Sequence, residues 1–351
     1  MIVPRALLSA AVAALPALAG CDVGGRANVT DGTNCAGFCA FEPSAPAPSG
    51  SPVARHGRLR VAGTTLLDES GQPLQLKGVS SMWLNWELDG YAENRGGLKW
   101  MRDNWNIDVV RASMGVDAAG AYLENPLRAK LQVQRVVRHA IELGLYVIVD
   151  WHDHEAAERQ DEAEAFFTEF SQYYGEFPNV IYETFNEPLK VSWSQVLKPY
   201  HEGVVAALRA VDPDNVIVLG TPQWSQLVDE AALDPVAGEN LMYTLHFYAC
   251  EHTQWLRDGA ETALGLGLPL FVTEWGATDA DGGTASPRLC EDEAQLWHDW
   301  MNGHGISWAA WKLDGCREAS CLLRPNAPTG GPFDDDQLQG HGFFVRDKLL
   351  E

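Results

Sequence analysis

Eight short apolar runs recur along most of the chain, and their even spacing limits the folds that it can adopt. Neighbouring runs begin 25 to 36 residues apart, near Leu74, Val109, Leu145, Val180, Val216, Leu241, Leu270 and Ile306. The third run opens with five apolar residues, LYVIV, which is typical of a parallel strand buried on both faces. Parallel strands need a crossover helix between them, and each interval is long enough to hold one. The spacing therefore predicts eight βα units.

The segment 126–143 shows what lies between two of these runs. Pro126 suits the first position of a helix, Asn125 is its predicted N-cap, and Gly144 is placed to end it. One face of this helix is apolar, with Val133, Val136, Val137, Ala140 and Ile141. No Gly-x-Gly-x-x-Gly turn follows the first run, so a dinucleotide-binding sheet is disfavoured. Eight such units predict an α/β fold, a single (β/α)8 TIM barrel.

The first 56 residues differ from the rest in composition. Residues 1–20 have one early charge and then an apolar run too short to cross a bilayer, so they are predicted to be a signal peptide. The string LAGC that ends at Cys21 resembles the bacterial lipobox, which implies a lipid on Cys21; the alternative is an ordinary signal peptide with an incidental Cys. Residues 21–56, rich in Pro, Ser and Ala, are predicted to be a flexible linker, and 57–351 the barrel domain.

The remaining six cysteines are an even number in a chain predicted to be exported, which indicates disulfide bonds. Pairs that lie in neighbouring loops or within one loop are the expected partners, namely Cys250 with Cys290, Cys316 with Cys321, and Cys35 with Cys39. Zinc is disfavoured at Cys35 and Cys39, because no second Cys or His pair of suitable spacing lies nearby. We expect no cofactor and no metal.

The chain is strongly acidic, with 25 Lys and Arg against 48 Asp and Glu and a formal net charge of −23. Such a surface repels phosphate backbones and anionic lipid, so nucleic acid is disfavoured as a partner and a neutral substrate is favoured. We expect membrane contact only through the lipid on Cys21, and a monomer.

Polar side chains collect where the predicted strands end, which is where TIM barrels place their active sites. Two carboxylates, Glu187 and Glu274, end different strands, and glycoside hydrolysis needs such a pair. The alternative is that one of the two Glu residues is only the ion-pair partner of Arg111. The other residues at these ends are Arg111, Trp151, His152, Asn186, His246, Tyr248, Trp275, Trp308 and Trp311.

Two of these strand ends resemble the signatures of glycoside hydrolase family 5. The strings TFNEP at 184–188 and VTEWG at 272–276 are similar to its acid/base and nucleophile motifs. Segments 76–81, 151–152, 246–249 and 306–311 are similar to those of bacterial endoglucanases (cellulases) of that family, in the same order. The resemblance runs over roughly 57–348. It implies a retaining, endo-acting hydrolase of β-1,4-glucan.

The resemblance also implies a role for each site residue. Glu187 would be the general acid/base and Glu274 the nucleophile, whose carboxylate Arg111 and Tyr248 are expected to stabilise. Asn186 would hold the sugar 2-hydroxyl. The implied substrate-binding set is Arg111, His152, Asn186, His246, Tyr248, Trp311, Trp86 and Arg317.

Two segments depart from the family pattern. After Ser81 the cellulases usually have His-Gly, whereas this chain has Met82-Trp83. After Trp311 they usually read Asn-Leu-Ser-Asp-Lys, and here the chain reads KLDGCR, so that Arg317 is the expected replacement for the sugar-contacting Lys. A β-mannanase or a mixed-linkage glucanase of the same family is therefore the alternative substrate assignment.

Two other classes of function compete with this assignment. The string HDHE at 152–155 prompts the alternative of a metal-dependent hydrolase on the same barrel, but only His246 stands in a comparable place on a later strand, and both carboxylates already have better roles. A non-catalytic glycan-binding protein with the same fold is the other. The presence of both Glu187 and Glu274 argues against the loss of activity.

Overall fold

The eight predicted runs form the strands of a closed barrel, and the (β/α)8 fold is confirmed. A computed structural model describes residues 37–284 and 287–351. Within these ranges the barrel strands are all parallel, each begins within three residues of its predicted start, and the last pairs with the first. An antiparallel hairpin of two strands precedes them. The strands are β1 (Arg60–Ala62), β2 (Thr65–Leu67), β3 (Lys77–Ser81), β4 (Val109–Gly115), β5 (Tyr146–His152), β6 (Val180–Glu183), β7 (Ile217–Leu219), β8 (Leu241–Tyr248), β9 (Leu270–Gly276) and β10 (Trp308–Leu313).

Helices on the outside of the barrel connect these strands. The helix predicted over 126–143 has those bounds, and Gly144 ends it with φ of 67°, as expected. Asn125 stands before the helix, but its side chain makes no capping hydrogen bond. The helices are α1 (Pro52–His56), α2 (Arg95–Trp105), α3 (Pro126–Leu143), α4 (Gln160–Tyr174), α5 (Lys198–Arg209), α6 (Pro222–Ser225), α7 (Val228–Leu233), α8 (Gln254–Gly265), α9 (Glu291–His304) and α10 (Gly342–Leu350), with shorter turns at Leu84–Trp86, Ala156–Arg159 and Trp193–Leu197.

The inside of the barrel changes from apolar to polar along the strands. One buried cluster fills the end where the strands begin, and it includes Leu66 of the β1–β2 hairpin and Leu59, which directly precedes β1. Side chains on one face of a strand recur every second residue. Two residues further along four of these strands, the buried positions are polar: Arg111, Asp150, Glu183 and Thr273. These polar positions form the floor of the candidate site.

Part of the predicted linker is packed against the barrel. Phe38 is 97% buried between the rings of Phe166 and Phe170, at centroid distances of 5.5 and 5.2 Å. The backbone N–H of Cys39 donates to Gln134 Oε1 at 2.8 Å. The segment 37–56 thus differs from the predicted flexible linker, because burying an aromatic ring offsets the entropy cost of ordering the chain.

The structure contains both predicted disulfides outside this segment, Cys250–Cys290 and Cys316–Cys321. The predicted pairing of Cys35 with Cys39 stays a prediction, because Cys35 lies outside the described residues. The signal peptide over 1–20 and residues 21–36 also lie outside them. Of the helices that the structure describes, none is both long and apolar enough to cross a membrane.

Candidate active site

The two predicted catalytic carboxyl groups meet at the mouth of the barrel. Glu274 belongs to β9, and Glu187 lies in the loop that follows β6. One oxygen of each carboxyl group and one ring nitrogen of His246 all lie within 4.8 Å of one another. Glu274 is 96% buried, and Glu187 is partly open to solvent. The site therefore presents one enclosed carboxyl group and one accessible carboxyl group to the same small volume.

Two donors hold the carboxyl group of Glu274. Arg111 Nη1 donates to its Oε2 at 2.9 Å, and the hydroxyl of Tyr248 donates to its Oε1 at 2.7 Å. Burial and then the charge of Glu187 raise the pKa of Glu274, whereas His246, Arg111 and Tyr248 act to lower it. The contacts expected from the sequence are present, but burial outweighs them in the direction of the pKa shift. Because Arg111 and Tyr248 each donate to a different oxygen, the Glu274 carboxyl group is fixed in position.

Arg111 is fully buried and contacts several residues of the site at once. Its Nε donates to Glu183 Oε2 at 2.7 Å, its Nη2 donates to Asn186 Oδ1 at 2.5 Å, and the same Nη2 lies 2.9 Å from Asp150 Oδ2. Burial acts against the charge of the guanidinium, but the three surrounding carboxylates raise the pKa of Arg111 further above its ordinary value. A permanently charged Arg111 therefore orients both the Glu274 carboxyl group and the Asn186 amide.

His152 lies at the end of β5 and is held as a neutral imidazole. Burial, and then the charge of Arg111, lower the pKa of His152 well below its ordinary value. Its Nε2 lies 3.3 Å from the Asn186 Nδ2 donor, and its Nδ1 lies 2.6 Å from Asp150 Oδ2. We therefore assign the proton to Nδ1, because Nε2 must accept from the amide. The ring of Trp311 stacks on His152 at a centroid distance of 5.6 Å.

His246 links the accessible carboxyl group to the floor. Its Nδ1 lies 2.9 Å from Glu187 Oε1, and its Nε2 lies 2.9 Å from Thr273 Oγ1. The Thr273 hydroxyl donates to Glu183 at 2.6 Å, so it accepts from His246 Nε2. Burial acts to lower the pKa of His246, but hydrogen bonds with Glu183 and Glu187 and the charge of Glu274 raise it to about 9. At neutral pH both ring nitrogens are therefore donors.

The floor of the site contains residues that the strand-end search did not identify. Asp150 and Glu183 are both fully buried, and each contacts Arg111. Both lie within apolar runs rather than after them. The signal that would have found them is the two-residue step along a strand, which places Asp150 below His152 on β5 and Glu183 above Ile181 on β6.

Exposed tryptophans flank the mouth of the barrel on two sides. Trp86 follows β3, is 54% exposed and stacks on Trp83 at 4.6 Å. Trp224 follows β7, is 43% exposed, and its backbone N–H donates to the carbonyl of Pro188 at 2.7 Å. Because β3 and β7 are four strands apart in a ring of eight, the two rings lie on opposite sides of the mouth. Sequence reasoning identified Trp86 and missed Trp224, which stands in a turn of positive φ.

The loop after β10 has two cations near it, and the predicted role of Arg317 in substrate binding stays a prediction. Arg317 is exposed on that loop. Lys312, within β10, is instead 97% buried, and its Nζ lies 2.7 Å from Glu318 Oε2. The loop between them is closed by the Cys316–Cys321 disulfide.

The cluster of carboxylates is poorly suited to a metal ion. The donor atoms of Glu187, His246 and Glu274 are close enough together to bind a cation. However, the guanidinium of Arg111 lies 2.9 Å from Glu274, and both nitrogens of His246 are donors to protein groups. His152, on which the metal-dependent alternative depends, uses both ring nitrogens for Asp150 and Asn186. Charge repulsion and the occupied nitrogens disfavour that alternative.

We predict that the raised pKa of His246 makes stability depend on pH. Its pKa rises from 6.5 to about 9 on folding, so its contribution is fully present below pH 6.5 and is lost as the pH rises through about 9. The full contribution is on the order of 3 kcal/mol. Denaturant unfolding of the wild type should show a larger loss of stability between pH 6 and 10 than that of His246→Asn. Equal losses in both proteins would contradict the assignment.

Comparisons with known proteins match the chain to a glycoside hydrolase family and to bacterial endoglucanases. A family model described as cellulase, glycosyl hydrolase family 5, matches residues 67–316. The chain is 42% identical to an endoglucanase of Clostridium saccharobutylicum over 297 residues, 84% of this chain and 65% of that protein. It is 45% identical to endoglucanase A of Evansella cellulosilytica over 289 residues, 80% of this chain and 57% of that protein. It thus spans less than two thirds of either relative.

Solved structures agree with this similarity. The catalytic domain of endoglucanase Cel5A from Thermobifida fusca matches with a TM-score of 0.81 at 33% identity, over 86% of this chain and 100% of that one. The same domain in complex with cellotetraose matches with a TM-score of 0.80 at 32% identity, over the same shares. A structure from Cytophaga hutchinsonii matches with a TM-score of 0.81 at 44% identity, over 85% of this chain and 96% of that one.

Proposed function

Because the family model matches residues 67–316, the chain belongs to glycoside hydrolase family 5, and on that basis we propose that it is a retaining, endo-acting β-1,4-glucanase that works as a monomer. The observation that carries the proposal is the approach of an oxygen of Glu187 to an oxygen of Glu274 within 4.8 Å. Carboxyl groups about 5 to 5.5 Å apart suit double displacement, whereas inverting enzymes keep them about 6.5 to 9.5 Å apart for a water molecule. An approach of one oxygen of each group to within 4.8 Å fits the shorter of the two separations, which supports retention.

In the first step we assign Glu274 as the nucleophile. Its carboxylate attacks the anomeric carbon while Glu187 protonates the departing glycosidic oxygen, and a glycosyl-enzyme forms. Arg111 and Tyr248 keep Glu274 aimed, because each donates to a different oxygen of the carboxylate. Asn186, fixed by Arg111 and His152, is placed to hold the sugar 2-hydroxyl, as the family resemblance implies.

In the second step Glu187 becomes the base. It takes a proton from water, and the hydroxide attacks the anomeric carbon and releases Glu274. His246 stands 2.9 Å from Glu187 and has its own Nε2 proton engaged by Thr273, so its Nδ1 proton is the one turned toward Glu187. We propose that this hydrogen bond steadies Glu187 as its charge changes between the two steps.

The shape of the mouth supports internal attack on a chain. Trp86 and Trp224 offer exposed rings on opposite sides of the carboxyl pair, and flat rings stack on sugar faces. Trp311 on β10 and His152 at the end of β5 form a stacked pair, which is a further flat surface at the carboxyl ends of the strands. A polymer that crosses the whole mouth can be cut within its length. The cellotetraose complex of the Thermobifida fusca catalytic domain supports a β-glucan as the polymer.

A panel of polysaccharides tests the substrate. The purified enzyme should release reducing ends from carboxymethyl cellulose and barley β-glucan, and should lower the viscosity of carboxymethyl cellulose before much sugar is released. Internal cleavage shortens long chains early, whereas attack at chain ends does not. Activity on mannan with none on either glucan would overturn the substrate in favour of a β-mannanase. Release of short sugars with unchanged viscosity would overturn the endo action.

We propose that the protein is exported and held at the cell envelope by a lipid on Cys21. The proposal rests on the apolar run over 6–18 and on the string LAGC. Cys21→Ser should move the enzyme from the membrane fraction to the soluble fraction and should abolish the incorporation of labelled palmitate, without altering the activity of the released protein. A Cys21→Ser protein that remains in the membrane fraction would contradict lipid anchoring.

A further inference from the structure

A third exposed tryptophan lies at the mouth of the barrel. Of the 13 tryptophans, all within the described residues, those that are exposed are Trp86 at 54%, Trp224 at 43% and Trp255 at 48%. They follow the carboxyl ends of β3, β7 and β8, and Trp255 is the second residue of α8. The other tryptophans are buried or only partly exposed. Exposed tryptophan rings therefore occur only at the end of the barrel that contains the carboxyl pair.

Trp255 is linked to the active site through His252. The two rings meet edge to face at a centroid distance of 5.8 Å. Nδ1 of His252 accepts from the backbone N–H of Tyr248 at 2.8 Å, and the hydroxyl of Tyr248 donates to Glu274 at 2.7 Å. One buried histidine thus separates the exposed ring from a residue that holds the nucleophile.

Trp255 lies on the side of the mouth where the acid/base is. Trp224 donates its backbone N–H to the carbonyl of Pro188, the residue after Glu187. The strand before Trp224, β7, pairs with the strand before Trp255, β8. Burial lowers the pKa of His252, and the charge of Glu187 is among the causes that oppose this shift. In the proposed mechanism Glu187 protonates the departing oxygen, so its side of the mouth receives the reducing-end part of the chain.

The ring of Trp255 is held in place by its own loop. Its Nε1 donates to the carbonyl of Glu251 at 3.4 Å, and Glu251 Oε1 accepts from the backbone N–H of Ala280 at 2.9 Å. The Cys250–Cys290 disulfide joins this loop to the one after β9. A ring that is ordered before a ligand arrives loses little conformational entropy on binding.

The surroundings of Trp255 favour a neutral ligand with many hydroxyl groups. Glu251, Gln254 and Asp258 are its exposed polar neighbours along the chain, and two of them are carboxylates. Such a surface repels an anionic polymer. A glucan is neutral, its sugars have flat apolar faces for the ring, and its hydroxyl groups can donate to the carboxylates.

We propose that Trp255 forms an outer stacking site for the reducing-end part of a β-glucan chain. The first sugar after the cleaved bond lies beside Glu187, and a sugar further along stacks on the Trp255 ring. This inference rests on the proposed glucanase function. It adds to that function a preference for chains that extend past the cleaved bond by more than one sugar.

The test compares substrates with and without sugars after the cleaved bond. Trp255→Ala should lower kcat/KM for cellopentaose by about 3- to 10-fold, the scale of a lost aromatic contact, mainly through a higher KM. Dinitrophenyl β-cellobioside has no sugar after its cleaved bond, so its kcat/KM should stay unchanged. Trp255→Phe should keep most of the cellopentaose rate, because a flat ring remains. The matched control is Leu266→Ala, 53% exposed just past the other end of α8.

The position of cleavage gives a second measurement. Cellopentaose that contains an oxygen isotope at its reducing end shows by mass spectrometry how many sugars follow the cleaved bond. The wild type should release labelled cellobiose or longer products, because two sugars after the bond reach Trp255. Trp255→Ala should release a larger share of labelled glucose, and an unchanged product pattern would contradict the outer site.

The kinetic outcomes separate this inference from the proposed function. Equal kinetics of Trp255→Ala and Leu266→Ala on cellopentaose would overturn the outer site and leave the glucanase proposal standing. Equal losses on cellopentaose and on the dinitrophenyl cellobioside would also overturn it, because Trp255 would then act through His252 on the catalytic centre. A wild type without activity on any glucan would overturn both. If Trp255→Ala fails to fold, Trp255→Leu carries the same test, since Leu keeps an apolar contact with His252 but has no flat ring.

Discussion

Glu274→Gln should lower the turnover of glucan by about 10⁴-fold or more, on the scale of losses that follow the removal of a catalytic nucleophile. The amide cannot attack the anomeric carbon, so no glycosyl-enzyme forms. Gln keeps the size of the side chain, and Arg111 keeps its pairs with Asp150 and Glu183, so the fold should be retained. Initial rates of reducing-end release measure the loss, and thermal unfolding checks the fold. Glu202→Gln, an exposed carboxylate on α5, is the matched control.

A second variant separates a nucleophile from a structural residue. Glu274→Ala leaves a space beside the anomeric carbon, into which azide can enter and attack an activated β-cellobioside directly. A single displacement inverts the configuration, so the product should be the α-glycosyl azide. Glu274→Gln with more than about 1% of the wild-type rate, or a β-azide from Glu274→Ala, would contradict the role of Glu274.

Glu187→Ala should slow the cleavage of glucan by roughly 10²- to 10⁴-fold, the usual contribution of a general acid or base. The loss in kcat/KM should be far smaller for dinitrophenyl β-cellobioside, because its leaving group departs without protonation. Glycosyl-enzyme should then accumulate, since the base of the second step is also missing, and a burst of dinitrophenol should precede a slow steady rate. Stopped-flow absorbance measures both phases.

Azide again provides the sharper test. In Glu187→Ala it attacks the glycosyl-enzyme formed on Glu274, so two inversions give the β-glycosyl azide, the opposite anomer from that expected of Glu274→Ala. Equal losses of kcat/KM on glucan and on the activated cellobioside would show that Glu187 does not act through the leaving group. An α-azide from Glu187→Ala would show that the assignment is reversed, with Glu187 as the nucleophile.

Much of the fold could be predicted because the barrel strands appear in the sequence as continuous apolar runs. Each run ends at a residue that faces the mouth, which is why Glu187 and Glu274 could be selected without a structure. The packed segment around Phe38 could not be predicted in this way. Its composition is that of a linker, and the ring is buried only because α4 provides Phe166 and Phe170 as neighbours.

The polar residues on the floor of the site could not be selected from the sequence, because they lie within the apolar runs and not at their ends. Asp150 and Glu183 interrupt apolar strands, and their pairing with Arg111 depends on three strands lying side by side. The direction of the pKa shift of Glu274 could not be predicted from the sequence either. Burial is the largest cause of that shift, and burial is a property of the folded chain. The sequence after Trp311 offered Arg317 as the cation of this loop, whereas the burial of a second cation, Lys312, against Glu318 appears only in the folded chain.

The stereochemistry of the first product tests the central claim most directly, namely that Glu274 and Glu187 act by double displacement. Proton NMR spectra are recorded within the first minutes of hydrolysis of a soluble β-1,4-linked oligosaccharide, before the new reducing end mutarotates. Because one oxygen of Glu187 lies within 4.8 Å of one oxygen of Glu274, we predict that the signal of the β-anomer appears first and the α-anomer grows only at the rate of mutarotation. An α-anomer that appears first would show inversion and would contradict the mechanism.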